Sequence, residues 1–146
     1  PDRPLWAGLL GAHPRGLARV IALDACVLIA HLDSSDACHA AATKLLADTG
    51  GQQLIASPIT IAEVLVGPAR AGQLDRGMNA LRQLGVDAVD LGADAPWQLA
   101  ILRAETGLRF PDCCVLLTAE AFAAEIATFD ERLRAVAEGR GIAVRP

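Results

Sequence analysis

Four acidic residues have the type and the placement that metal-assisted chemistry needs. Asp24 and Asp130 each follow a short apolar run, whereas Glu63 and Asp112 belong to apolar segments with helical spacing. Carboxylates that converge repel one another unless a divalent cation neutralises them, and hard oxygen ligands of this kind suit Mg²⁺ or Mn²⁺. Such a site could polarise a phosphate and lower the pKa of a bound water.

Two of the acids also have an ordinary structural explanation to weigh against this one. Asp24 precedes a predicted helix and could simply cap it, which is the commoner role. Asp112 follows Pro111 at a predicted helix start, where a carboxylate interacts well with the helix dipole. Glu63 is the least ordinary of the four, because it lies inside an apolar helix that we expect to be buried nearly all round.

Alternating strands and helices would bring these acids to one place. Strands are predicted at about 20–23, 53–56, 86–91, 125–129 and 142–144. Helices are predicted at about 25–31, 36–48, 58–66, 75–84, 94–106 and 113–122, with one more beginning near 132. This order predicts an α/β three-layer sandwich with a mostly parallel central sheet of four or five strands flanked by helices. In a parallel sheet, the strand-to-helix junctions share one edge.

Composition sets the limits on size and on partners. The 146 residues are 53% hydrophobic, which fits one globular domain, and we expect residues 20–146 to form it after a loose N-terminal arm at 1–19. Aromatic residues make up 3%, which argues against a base-stacking sheet of the RRM or OB type. The net charge of −4 supplies no overall basic field, although arginines collect late in the chain. No apolar run reaches the ~18 residues of a membrane span.

The four cysteines do not form a recognisable zinc or redox motif. They are Cys26, Cys38, Cys113 and Cys114, with no C-x-x-C pair among them. We expect buried free thiols in a reducing, cytoplasmic environment.

At the four acids the chain resembles PIN-domain ribonucleases, and most of all the VapC toxins of bacterial toxin–antitoxin pairs. The matching pieces are Leu23-Asp24-Ala25-Cys26-Val27-Leu28-Ile29, Ser57-Pro58-Ile59-Thr60-Ile61-Ala62-Glu63-Val64-Leu65-Val66-Gly67, Gly107-Leu108-Arg109-Phe110-Pro111-Asp112 and Thr128-Phe129-Asp130-Glu131-Arg132-Leu133. Together they place the resemblance over roughly residues 20–145. Their order and spacing carry it more than any single piece does.

The resemblance implies a PIN fold and Mg²⁺- or Mn²⁺-dependent cleavage of structured RNA, such as tRNA or ribosomal RNA. Water would attack the phosphodiester and leave 5′-phosphate and 3′-hydroxyl ends. It also implies a homodimer and inhibition by a cognate antitoxin protein. The implied metal ligands and catalytic residues, acting directly or through water, are Asp24, Glu63, Asp112 and Asp130. Thr128 would orient the acids, and Arg109 could contact a substrate phosphate.

Two features depart from the family pattern: the arm at 1–19, and Ala25, where a Thr or Ser is common. Other Asp-containing α/β proteins fit less well. A haloacid-dehalogenase phosphatase needs an acid where Cys26 stands, a receiver domain needs a late lysine whereas the only lysine is Lys44, and no glycine-rich phosphate loop follows the first strand. The alternative left open is a catalytically inactive PIN-fold protein that binds partners, which metal binding would distinguish.

Overall fold

The computed structural model describes residues 19–146, so nearly all of the arm predicted at 1–19 lies outside the described residues. The strands are β1 (Val20–Leu23), β2 (Gln53–Ala56), β3 (Val86–Ala88), β4 (Glu125–Ala127) and β5 (Val144–Arg145). They form a five-stranded sheet in the order β3-β2-β1-β4-β5, and every pair is parallel. This confirms the α/β class and the parallel sheet.

Seven helices are described between and after these strands. They are α1 (Ala25–Leu32), α2 (His39–Ala47), α3 (Pro58–Arg70), α4 (Leu74–Gln83), α5 (Ala95–Thr106), α6 (Phe110–Phe122) and α7 (Glu131–Gly139). Helices cover both faces of the sheet, which gives the three layers.

The central strand β1 is apolar because both of its faces are covered. Ile21 and Leu23 face a core layer built from α1 to α4, whereas Ala22 faces the layer built from α5, α6 and α7. All three side chains are almost fully buried. A continuous apolar run is what a parallel strand between two helical layers requires. The strand therefore ends in the middle of the molecule, and Asp24 comes directly after it.

Helix α3 differs from its prediction in two ways. The sequence predicts that the helix ends at about residue 66, before Gly67 and Pro68, yet α3 continues to Arg70. The ring of Pro68 packs closely against Gly77 of α4, and this packing accompanies the continued helix. The helix also exposes an apolar face that includes Ile59 and Val66, so the expectation that it is buried nearly all round was wrong.

Other boundaries shift by a few residues. Helix α6 begins at Phe110 instead of Cys113, and β4 ends at Ala127 instead of Phe129. Across residues 19–146, none of the helices combines the length and the apolar character that crossing a membrane would require.

Candidate active site

Three of the predicted acids approach one another at the carboxyl end of the sheet. Asp24 follows β1, Asp112 lies in the first turn of α6, and Glu63 lies in α3. Asp24 and Asp112 are each only 7% exposed. Burial, together with the negative charges of Asp24 and Asp112, raises the pKa of the Glu63 carboxyl. Glu63 is therefore close enough to Asp24 and Asp112 for their negative charges to act on it.

Asp24 is held in place by hydrogen bonds that do not cap α1. It occupies the N-cap position of α1, yet its side chain makes no capping hydrogen bond. Instead, its Oδ2 accepts a hydrogen bond from Thr128 Oγ1 at 2.6 Å and another from Cys26 Sγ at 3.1 Å. Its backbone N–H donates to Ala127 O at 3.0 Å, which extends the pairing of β1 with β4. The capping explanation for this carboxylate is therefore wrong, and Oδ1 is left without either of these donors.

The loop after β4 sets the direction of both hydrogen bonds to Asp24. The N–H of Asp130 donates to Thr128 Oγ1 at 2.9 Å, and the N–H of Phe129 donates to Cys26 Sγ at 3.4 Å. A backbone N–H can only donate, so the hydroxyl and the thiol each accept one hydrogen bond and keep their own hydrogen for Asp24. Thr128 is fully buried.

Burial, followed by the charge of Asp24, raises the pKa of the Cys26 thiol to about 12. Cys26 therefore stays protonated near neutral pH and can act as a donor. The sequence pattern did not single out this residue, which was expected only to be a buried free thiol. Its position two residues after Asp24, in the first turn of α1, could have indicated from the sequence that Cys26 contacts the acid. Cys113 and Cys114 are buried as expected, whereas Cys26 is only partly buried and Cys38 is exposed, so the expectation is wrong for these two.

Asp130 has a structural role that is visible directly. It is the N-cap of α7, and its Oδ1 accepts a hydrogen bond from the N–H of Leu133 at 2.8 Å. Its link to the other acids runs through its backbone N–H and Thr128. The negative charge of Asp130 also helps to raise the pKa of the Arg109 guanidinium.

Arg109 supplies a positive charge to the acidic cluster. Its Nε lies 3.2 Å from Asp112 Oδ2, while the Arg109 side chain is 72% exposed. The pKa of Arg109 is raised, first by the hydrogen bond and charge of Asp112 and then by Glu63 and Asp130. Arg109 therefore neutralises part of the charge that the acids concentrate at this edge.

The donor chemistry of the site fits a hard divalent cation. Asp24 and Asp112 are buried, and burial together with their charges disfavours the ionised form of Glu63, which is the situation that a bound cation relieves. As the side chains stand, however, no group of three or more His, Cys, Asp or Glu residues within 19–146 is arranged so that it could hold a metal ion. The Asp112 carboxylate forms an ion pair with Arg109, and the Asp130 carboxylate caps α7. Metal binding would require these side chains to rearrange.

Comparison with known proteins gives the family. Residues 21–139 match the PIN domain family. A toxin–antitoxin complex from Klebsiella pneumoniae contains a chain 26% identical to this one, with a TM-score of 0.69 over 88% of this chain and 97% of that one. VapC20 of Mycobacterium tuberculosis, a toxin that cleaves the sarcin–ricin loop, is 17% identical, with a TM-score of 0.64 over 80% of this chain and 94% of that one.

VapBC2 from Rickettsia felis, solved with a DNA fragment from its promoter, is 15% identical, with a TM-score of 0.64 over 86% of this chain and 97% of that one. No curated protein sequence matches the chain significantly. Because the family match covers most of its length, the chain belongs to the PIN-domain family.

Proposed function

We propose that this PIN-domain protein is a metal-dependent endoribonuclease and the toxin of a toxin–antitoxin pair. The observation that carries the proposal is the state of Asp24. It is a buried carboxylate at the end of the central strand, fixed by Thr128 and Cys26 instead of capping its helix. If Asp24 served only to cap α1, hydrogen bonds from Thr128 and Cys26 would not be needed to orient its carboxylate.

The cation would be Mg²⁺ or Mn²⁺, held directly or through water by Asp24, Glu63, Asp112 and Asp130. When bound, it would polarise the scissile phosphate and make a bound water more acidic. The chain's own residues would prepare the site. Thr128 and Cys26 would keep Asp24 in one rotamer with Oδ1 free, and Arg109 would move from Asp112 to a substrate phosphate.

The proposed substrate is structured RNA, such as tRNA or ribosomal RNA, and the proposed location is the cytoplasm. The Klebsiella pneumoniae relative comes from a toxin–antitoxin complex, which supports a cognate antitoxin as the partner of this chain. We also propose a homodimer, to which the exposed apolar residues of α3 and α5 could contribute contacts, among them Ile59, Val66, Trp97 and Ile101.

A second candidate function is a catalytically inactive PIN-fold protein that binds partners. The ion pair between Arg109 and Asp112 favours it, because an internal guanidinium could balance the acids without metal. The two functions differ in whether the site takes up a divalent cation.

The experiment is cleavage of purified tRNA and ribosomal RNA with Mg²⁺, with Mn²⁺ and with chelator. Asp24→Asn runs alongside to exclude a contaminating nuclease, and Asp48→Asn serves as a control because Asp48 is exposed and pairs with Lys44. We expect metal-dependent products with 5′-phosphate ends from the wild type and from Asp48→Asn, and none from Asp24→Asn. Cleavage that is equal in Asp24→Asn, or that persists in chelator, would contradict the proposal.

A further inference from the structure

We propose that an arginine-rich surface beside the acids binds unpaired nucleotides of the RNA. We call it the rim, and it consists of Arg103, Arg109, Phe110 and Arg132. Its arginines would hold backbone phosphates, and Phe110 would stack on one base. This inference deepens the proposed function and rests on RNA being the substrate.

The rim is organised around one backbone carbonyl. Arg103 Nη1 donates to Gly107 O at 2.9 Å, and Arg132 Nη2 donates to the same oxygen at 3.0 Å. Arg103 Nη1 also donates to Leu108 O. Residues from α5 and α7 are thus brought together by the loop that precedes α6. Two guanidinium groups fixed on one oxygen form a preorganised pair of positive charges.

Within the described residues, neither of these two charges is balanced by a neighbouring carboxylate. No carboxylate of residues 19–146 lies within ion-pair distance of Arg103 or Arg132, whereas Arg140 pairs with Glu120 and Arg145 pairs with Glu125. Guanidinium groups match phosphate oxygens in geometry as well as in charge. A phosphate near the Gly107 carbonyl would therefore find two guanidinium groups within reach, from Arg103 and from Arg132.

Phe110 provides the second element of the rim. It is the first residue of α6, directly after Arg109, and it is 55% exposed in a chain where aromatic residues are scarce. An exposed aromatic ring that directly follows an arginine in sequence offers a face on which a nucleobase of a single strand can stack. The bases of an intact duplex stack on one another and cannot offer a face to Phe110, which points to loops and unpaired segments.

The position of the rim links it to the acids. Asp112 lies two residues after Phe110 on α6, and Arg109 bridges from the rim to Asp112 through its ion pair. A strand that is held by Arg103 and Arg132 and stacked on Phe110 would pass the edge where Asp24 and Asp112 are buried. The rim would thus deliver an RNA backbone to an otherwise acidic and repulsive site.

The test is binding of a fluorescein-labelled single-stranded RNA oligonucleotide of mixed sequence, and of its duplex, to the full chain in chelator so that metal-dependent cleavage does not occur. Fluorescence anisotropy over a range of salt concentrations compares the wild type with Arg103→Gln, Arg132→Gln and Phe110→Ala. Arg82→Gln is the matched control, because Arg82 is exposed on α4 and bonds to Asn79 of the same helix.

We expect the wild type to prefer the single strand to the duplex. Each rim arginine that is replaced should lower the slope of log affinity against log salt by about 0.7, the value for one phosphate contact of a single strand. Phe110→Ala should weaken single-strand binding by roughly tenfold and leave the salt slope unchanged, because stacking is not electrostatic. Arg82→Gln should behave as the wild type.

Rim variants that bind like the wild type would overturn the inference and leave the proposed function standing, as would equal binding of the duplex. Competition by poly-L-glutamate as effective as that by unlabelled RNA would also overturn it, because it would indicate a site for an acidic peptide. If RNA binds at the rim but no condition yields cleavage, the proposed cleavage is contradicted, and only the binding of RNA at the rim is supported.

Discussion

At the scale of single residues, the neighbours of Asp24 distinguish a prepared site from an ordinary helix start. A sequence can show that an acid follows a strand, and it did so for Asp24 and for Asp130. It cannot show which of them caps its helix, because that depends on rotamers and on side chains far away in sequence. In the structure, Asp130 caps α7, whereas Asp24 is bound by Thr128 and Cys26.

Replacement of Asp24 by Asn should separate activity from folding. The amide oxygen can still accept from Thr128 and Cys26, and the loss of a buried charge relieves repulsion on Glu63, so we expect the free energy of unfolding not to fall. RNA cleavage should fall by roughly a hundredfold or more, since even groups that only orient metal ligands contribute about 10- to 100-fold. Denaturant unfolding and cleavage assays measure the two effects, and a variant that cuts normally would contradict the assignment.

Cys26 should act as a positioning residue for Asp24. Cys26→Ala removes one of the two donors to Oδ2 and should raise the Mn²⁺ concentration needed for half-maximal binding by about tenfold, with the fold intact. Cys26→Ser restores a hydrogen-bond donor and should recover most of that affinity. Isothermal titration with Mn²⁺ measures it without RNA. Equal affinities in the wild type and Cys26→Ala would show that the thiol only fills space.

Glu63 should make the stability of the metal-free protein depend on pH. Its folded pKa is raised above the ordinary value of 4.5, so the folded state gains from protonation. That gain is complete below the unfolded pKa and is lost as pH rises through the folded pKa. We therefore expect Glu63→Gln to become more stable relative to the wild type as pH rises towards neutral, measured by urea unfolding in chelator. A difference that does not change with pH would contradict a raised pKa of Glu63 in the folded state.

At the scale of elements, hydrophobic pattern and helix-start signals predicted nearly all strands and helices, whereas packing decided the ends. Ser57 and Pro58 begin α3 as the sequence indicated, and the Ser57 hydroxyl accepts from the N–H of Thr60. The predicted end of α3 at about residue 66 is wrong, because Pro68 does not end the helix. Its ring instead packs on Gly77 of α4, a contact that local sequence does not encode.

The junction of α3 with α4 should tolerate no side chain at position 77. A Cβ there would lie 2.9 Å from Pro68 Cγ, and a proline ring cannot move away, so Gly77→Ala should cost roughly 1–3 kcal/mol of stability. Gly67→Ala is the matched control on α3, because nothing lies within 4 Å of a Cβ there and the helix should gain up to about 1 kcal/mol. Thermal unfolding compares them, and equal effects would contradict the close packing.

At the scale of the whole molecule, the order of strands in the sheet determines where the acids lie, whereas a sequence motif only suggests it. β1 is the central strand, with β2 on one side and β4 on the other, so residues that follow these strands share one edge. Alternating strands and helices made this predictable. The rim was not predictable, because Arg103 and Arg132 lie on separate helices and meet only at the Gly107 carbonyl. The ion pair of Arg109 with Asp112 likewise becomes visible only in three dimensions.

The most direct test of the account is to measure bound Mn²⁺ and RNA cleavage in the same samples of wild type and Asp112→Asn. Electron paramagnetic resonance reports free Mn²⁺, and electrophoresis of the same tubes reports cut tRNA. We predict that the wild type takes up Mn²⁺ saturably and cuts RNA in proportion to the bound metal, and that Asp112→Asn loses both activities while remaining folded. A wild type that binds no Mn²⁺, or an Asp112→Asn variant that cuts RNA as well as the wild type, would contradict it.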